Sequence, residues 1–151
     1  MSKTLLPSDK IAIVGTIKPD AHAAGTVSSV WIDASKFIDF LAIVMAGTLG
    51  ASATLDFKIE QAKDDTGTDA KDLSGAAVTQ LTQAGGDDNK QAIVQFSTED
   101  LDTNNDFTHV RASLTIGTAT SDAGATLLAY GGRYEPVSDH DADSVKEIVT
   151  A

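Results

Sequence analysis

The chain has 151 residues, enough for one domain that buries roughly 70% of its unfolded surface without staples. Its 22 acidic residues against 11 basic ones leave a net charge of −11. That balance excludes nucleic acid and anionic membrane surfaces as expected partners, because both are held through Lys and Arg. The absence of cysteine excludes disulfides, thiolate zinc centres and a cysteine nucleophile.

Residues 1–10 are polar around Pro7 and read as an N-terminal surface arm, with no apolar stretch of leader-peptide length. Ile11 and Ile13 alternate with Ala12 and Val14, which predicts a short first strand ending near Pro19. A loop at 20–25 carries His22. The next predicted strand, 26–32, is apolar on both parities, with Val27 and Trp31 on one and Val30 and Ile32 on the other. Asp33 is placed to cap a single turn at 33–35.

Residues 40–45 form an almost unbroken apolar run, the pattern of a strand dry on both faces. After breaks at Gly47, Gly50 and Ser52, strict alternation follows. Leu55, Phe57 and Ile59 take one side, and Asp56, Lys58 and Glu60 the other, as in a strand with one wet face. Residues 64–75 read as a long acidic loop without ligand geometry, and 76–80 as a fifth strand. The run Gly85-Gly86-Asp87-Asp88 marks a turn before a strand at 91–97 that points Ala92, Val94 and Phe96 inward. Residues 98–106 form a polar loop. Residues 107–117 alternate again, with Val110, Ala112, Leu114 and Ile116 inward and His109, Arg111, Ser113 and Thr115 outward. A loop at 119–124 and a closing strand at 125–131 complete the count. A C-terminal arm at 139–151 is either extended or briefly helical over 144–149, with Val145, Ile148 and Val149 as its stripe.

About eight strands separated by Gly- and Asp-rich turns predict an all-β, single-domain sandwich of jelly-roll type over residues 1–151. The core is expected to rest on Val, Ile, Leu and Ala, since aromatics make up only 5% of the chain.

Two acidic stretches imitate metal sites. Asp100, Asp102, Asn104 and Asp106 recur at alternate positions like the start of an EF-hand loop. Asn105 stands where the loop needs glycine, and Arg111 where it needs a bidentate glutamate, so the loop reads as solvated and no metal is expected. Asp139, Asp141 and Asp143 surround His140, yet nothing else in the chain offers a His or Glu at a matching spacing, and the stretch reads as a linker. His109 reads as an exposed strand residue; no nucleophile elbow accompanies it. No catalytic residue, cofactor or enzymatic activity is expected. Trp31 is assigned to the core. Tyr130, Arg133 and Tyr134 bracket a glycine turn, and this composition suits a protein–protein contact.

Residues 36–50, 54–62, 70–75, 78–82, 89–94 and 101–118, with Thr108-His109-Val110-Arg111 central to the last, together resemble small structural proteins of tailed bacteriophages. The resemblance implies a non-enzymatic capsid decoration (cement) protein on the exterior of the virion. It also implies a homo-oligomer, a trimer by preference, that bridges subunits of the major capsid protein through its terminal arms. Two alternatives stand beside it. One is another virion part, such as a tail-tube, head–tail joining or spike-base protein. The other is a carbohydrate-binding jelly roll using Trp31 or the pair Tyr130 and Tyr134.

Overall fold

The structure, a computed structural model, describes residues 4–151; the first three residues of the N-terminal arm lie outside the described residues. A short helix α1 (Pro7–Lys10) leads into ten strands: β1 (Ile11–His22), β2 (Gly25–Ser28), β3 (Ile32–Asp33), β4 (Asp39–Ala46), β5 (Thr54–Ala62), β6 (Lys71–Ala77), β7 (Leu81–Thr82), β8 (Gln91–Ser97), β9 (His109–Gly117) and β10 (Ser121–Tyr130). Among the described residues no helix is long and apolar enough to cross a membrane.

One sheet runs β1-β10-β4-β8 and the other β2-β9-β5-β6, with β3 on β9 and β7 on β5. All pairings are antiparallel. Merging β2 with β3 and β6 with β7 leaves eight strands whose two sheets interleave along the chain. That is the strand order of a jelly roll, two Greek keys folded over a shared interior. The first sheet is called sheet A below and the second sheet B.

The interior is thin because so much of it is alanine. Ala12, Ala42, Ala112, Ala125 and Ala129 are buried beside Leu55, Phe57, Ile59, Leu114 and Leu127. Larger volume is supplied locally by aromatics: Phe40 stacks on Phe96 at 5.0 Å, and Phe37 meets Phe40 edge-on at 6.0 Å. The alternations predicted for β5 and β8 hold, and that of β9 holds except at Ser113, expected outward but fully buried. Asp33 caps its turn as expected, accepting from the Ser35 amide at 3.0 Å and hydroxyl at 2.6 Å.

Several sequence expectations need correction. The first strand does not stop near Pro19 but runs to His22, because a register shift between Ile17 and Asp20 takes the proline out of the ladder. The single strand expected at 26–32 is broken after Ser28. Ser29 turns its hydroxyl onto the Ala112 amide at 3.0 Å, replacing a backbone rung, before β3 resumes pairing. The acidic loop is shorter than 64–75, since β6 begins at Lys71 and buries Leu73 and Ala76. Small and polar residues hid this strand, as did Gly75 at φ +78 and a register shift opposite Lys58 and Glu60. Of the strand expected at 76–80, Ala76 and Ala77 end β6 and Val78 still donates to Phe57 O at 3.0 Å. The loop expected at 119–124 is mostly strand: β10 starts at Ser121, and its small residues fit between β1 and β4.

No helix forms at 144–149. A turn closes with the Ser144 and Val145 amides both donating to the Asp141 carbonyl, at 3.1 and 2.8 Å, and the chain continues extended. The segment before it lies along the free side of β1. Val137 donates to Asp9 O at 2.9 Å and Asp141 to Ile13 O at 2.6 Å. The imidazole of His140 is inserted between them, accepting from the Ile13 amide at 3.2 Å and reaching Ser8 O at 3.2 Å.

Candidate interaction surface

The two outer faces of the sandwich differ in kind. On sheet B, Asp56, Lys58 and Glu60 of β5 stand beside Arg111 and Thr115 of β9, the wet face that the sequence predicted. Arg111 Nε donates to Glu60 at 2.6 Å; Lys58 reaches Asp72 at 2.6 Å and Glu60 at 3.5 Å. The Arg111 guanidinium also lies 4.4 Å from the Trp31 ring, whose indole edge closes on the backbone of Gly67. Trp31 is therefore half-buried at the surface rather than in the core, and both its surroundings are occupied. Sequence placed it inside because its neighbours Val30 and Ile32 are apolar on the opposite parity.

Sheet A is different. Its outward residues form a grid in register: Ile11 opposite Tyr130, Ile13 opposite Leu128, Leu128 opposite Leu41, and Ile43 opposite Ile93. Met45 extends the apolar strip at its lower end and is 54% exposed; Ile93 is 60% exposed. The run at 40–45, expected to be dry on both faces, is covered on one only. Phe40, Ala42 and Val44 are buried, whereas Leu41, Ile43 and Met45 look outward, the first two partly exposed and Met45 more than half exposed. None of the six ion pairs among the described residues uses a residue of β1, β4, β8 or β10.

This face is hollowed. A trough of about 850 Å³ runs over Ile43 and Met45 between the curled end of β1 and the Asn89 loop, with Asp20 and Asp122 at its margins. A second hollow of about 400 Å³ continues it over Leu41, Leu128 and Tyr130. Glycines make the lower trough possible. A Cβ at Gly124 would sit 2.9 Å from Pro19 Cα, and one at Gly47 2.9 Å from Asp122 Cβ.

The contact residues expected from sequence are only partly brought together. Tyr130 belongs to this face, half exposed beside Ile11. Arg133 and Tyr134 lie in the turn that follows; both are exposed, Tyr134 at 88%, and the turn is fastened by the Arg133 amide on Lys36 O at 3.0 Å. Sequence reasoning missed Ile11, Ile13, Leu41, Ile43, Met45, Ile93 and Leu128. The available signal was the presence of apolar residues on both parities of 11–14 and 40–45.

The acidic residues of the two stretches that imitate metal sites are engaged separately. Asp100 accepts from the Ser97 amide at 2.7 Å, and Asp102 takes Lys71 Nζ at 2.5 Å and Asn105 Nδ2 at 2.8 Å. Lys71 first, then Asn105, holds the Asp102 carboxyl below the usual carboxylate range. Asp106 sits in a left-handed turn at φ 65. Asp139 faces Lys36 at 3.8 Å, and Asp141 accepts from Ser144 Oγ at 2.7 Å. Among the described residues no three acidic or histidine side chains form a group fit to hold a metal ion. His109 hydrogen-bonds its neighbour Thr108 Oγ1 at 2.8 Å.

No family model matches the chain, and no curated protein is significantly similar to it. Among solved structures, the VP2 subviral particle of infectious bursal disease virus aligns at a TM-score of 0.44 with 16% identity, over 89% of this chain and 38% of that one. A cowpea mosaic virus empty virus-like particle aligns at 0.38 with 9% identity, over 91% and 92%. Disulfide-linked pili of Bacillus endospore appendages align at 0.33 with 11% identity, over 87% and 100%. The chain thus spans well under half of the VP2 chain. Such scores are too low for a role to be read from them. What the strand order and the surface define on their own is a jelly-roll sandwich with one charged wall and one bare apolar wall.

Proposed function

We propose that this protein is a virion structural component, a capsid decoration protein of a tailed bacteriophage that works as an oligomer on the shell exterior. The observation that carries the reading is the bare outer face of sheet A. Exposed apolar surface of this extent on a strongly acidic chain marks a place meant to be covered by protein. Its geometry is that of a rigid wall whose rows are fixed by the ladders of four strands, so it presents a shaped surface without rearrangement. The resemblance carried by residues 36–50, 54–62, 70–75, 78–82, 89–94 and 101–118 supplies the phage setting; the apolar face supplies a means of attachment.

The mechanism is mechanical. Apolar area and the adjoining Tyr130–Tyr134 corner are buried against assembled subunits of the major capsid protein. Binding that favours the assembled shell stabilises it by mass action, so opening the shell must first break these contacts. No chemical step is required.

The test is direct. Shells prepared with and without the protein are heated and their opening is followed by light scattering. Decorated shells should open at the higher temperature, and a Tyr130→Lys variant should neither bind nor protect. Equal opening temperatures, or full protection by the variant, would refute the role assigned to this face.

A further inference from the structure

Two apolar features are uncovered in the single chain, and they begin at the same place. The first is the trough of sheet A. The second is the extended C-terminal segment from Val145 to Ala151, in which Ile148 is half exposed and Val149 80% exposed. Among the described residues no hydrogen bond involves 146–151. The segment is fastened just before it becomes free, where Ser144 Oγ meets Thr16 Oγ1 at 3.0 Å, and Thr16 belongs to the wall of the trough. From that point seven residues reach at most about 25 Å, while crossing from β1 to β8 requires only three strand spacings, about 14 Å.

Length, anchorage and apolar character therefore suit the segment to the trough. Yet in the single chain it does not cover its own: Met45 stays more than half exposed while Val149 stands in solvent.

We propose that residues 145–151 of one copy occupy the sheet A trough of a second copy, so that copies of this chain are joined by exchanged C-terminal arms. The inference rests on reading the bare face as an assembly surface. It assigns the lower trough, around Ile43 and Met45, to another copy and leaves the Tyr130–Tyr134 corner for the shell. Because the arm is rooted at the trough's edge, a rotation axis beside Thr16 brings each arm to its neighbour's trough with little slack, and the exchange closes into a finite ring.

The absence of cysteine makes the test clean. Met45→Cys and Ile148→Cys are made as separate single variants, mixed without shells, equilibrated and treated with a mild oxidant. The expected result is a covalent dimer containing one chain of each variant, formed at least tenfold faster than dimers of either variant alone. Absence of that mixed dimer overturns the proposal. So does a Met45→Cys/Ile148→Cys double variant that closes its disulfide within one chain, since the arm would then lie in its own trough. Unchanged circular dichroism in both single variants secures the folding control. Because no shell is present, failure here leaves the decoration reading standing, and failure of shell protection leaves arm exchange standing.

Discussion

The imidazole of His140 accepts the backbone N–H of Ile13 at 3.2 Å, joining residues 127 positions apart. Nδ1 is the acceptor, so the ring proton sits on Nε2 and is donated to Ser8 O at 3.2 Å. One side chain thus satisfies a backbone donor on the free side of β1 and a carbonyl of the short N-terminal helix.

Replacing His140 with alanine leaves both groups to water. Hydrogen bonds of this kind contribute about 0.5–1.5 kcal/mol each, and a loss of about 1 kcal/mol in unfolding free energy is expected. Hydrogen exchange should locate the change, with faster exchange at Ile13 and Asp141 and none at Leu114. An unaltered Ile13 amide would contradict the clasp.

Ser29 presents a stricter case, because its hydroxyl serves the buried Ala112 amide at 3.0 Å while its own amide donates to Ala112 O at 3.0 Å. Ser29→Ala keeps the volume nearly constant but orphans a buried donor, at a cost of about 1–3 kcal/mol. Thermal unfolding should show a lower midpoint. Ser74→Ala, at an exposed position of β6, serves as the comparison and should change little.

The loop at 64–70 is tied by one carboxylate. Asp64 accepts from the Thr68 hydroxyl at 2.5 Å and amide at 3.0 Å, and from the Thr66 hydroxyl at 2.7 Å and amide at 3.0 Å. These bonds, Thr68's first, hold the Asp64 carboxyl far below the usual range. Its folded value lies under the unfolded one, so its contribution is present above about pH 3.9 and disappears only as pH falls through the lower folded value. At about pH 3, where an ordinary aspartate is mostly protonated, the Thr66 and Thr68 amides should remain protected from exchange. Asp64→Ala should lose that protection at every pH. A carboxyl resonance titrating near the ordinary value would contradict the arrangement.

Ile93→Lys and Met45→Lys test the difference between the two walls. Both side chains are more than half exposed, so unfolding free energy should change by less than about 0.5 kcal/mol. The same charge placed inside, as Leu114→Lys, should prevent folding, since Leu114 is fully buried opposite Phe57. Self-association of the two outer variants, read by sedimentation, should fall while their spectra stay native.

The jelly-roll class was legible because β5 and β9 alternate in sequence, and because glycine- and aspartate-rich turns separate the strands. Leu55 through Glu60 needed no tertiary information to declare their faces. β6 and the start of β10 were not legible, since residues such as Ser74, Gly75, Ala123 and Gly124 carry no strand preference and are held by neighbours distant in sequence. The interaction face was half legible. Residues 40–45 declared themselves apolar on both parities, but only the pairing with β8 and β10 shows which parity is left bare. Tyr130 was identified through its composition, whereas Ile11 and Leu128 beside it depend on strand register.

A molecule with one wall of ion pairs and one whose apolar rows are broken by Gln91, Gln95, Thr126 and Asp39 has a top and a bottom. Any surface that receives the wall of β1, β10, β4 and β8 receives it in one orientation, with Asp56, Lys58, Glu60 and Arg111 turned away from the contact. With eleven more negative than positive charges on each copy, a coat laid down this way carries a net negative charge. Particles so coated repel one another and stay dispersed at low ionic strength.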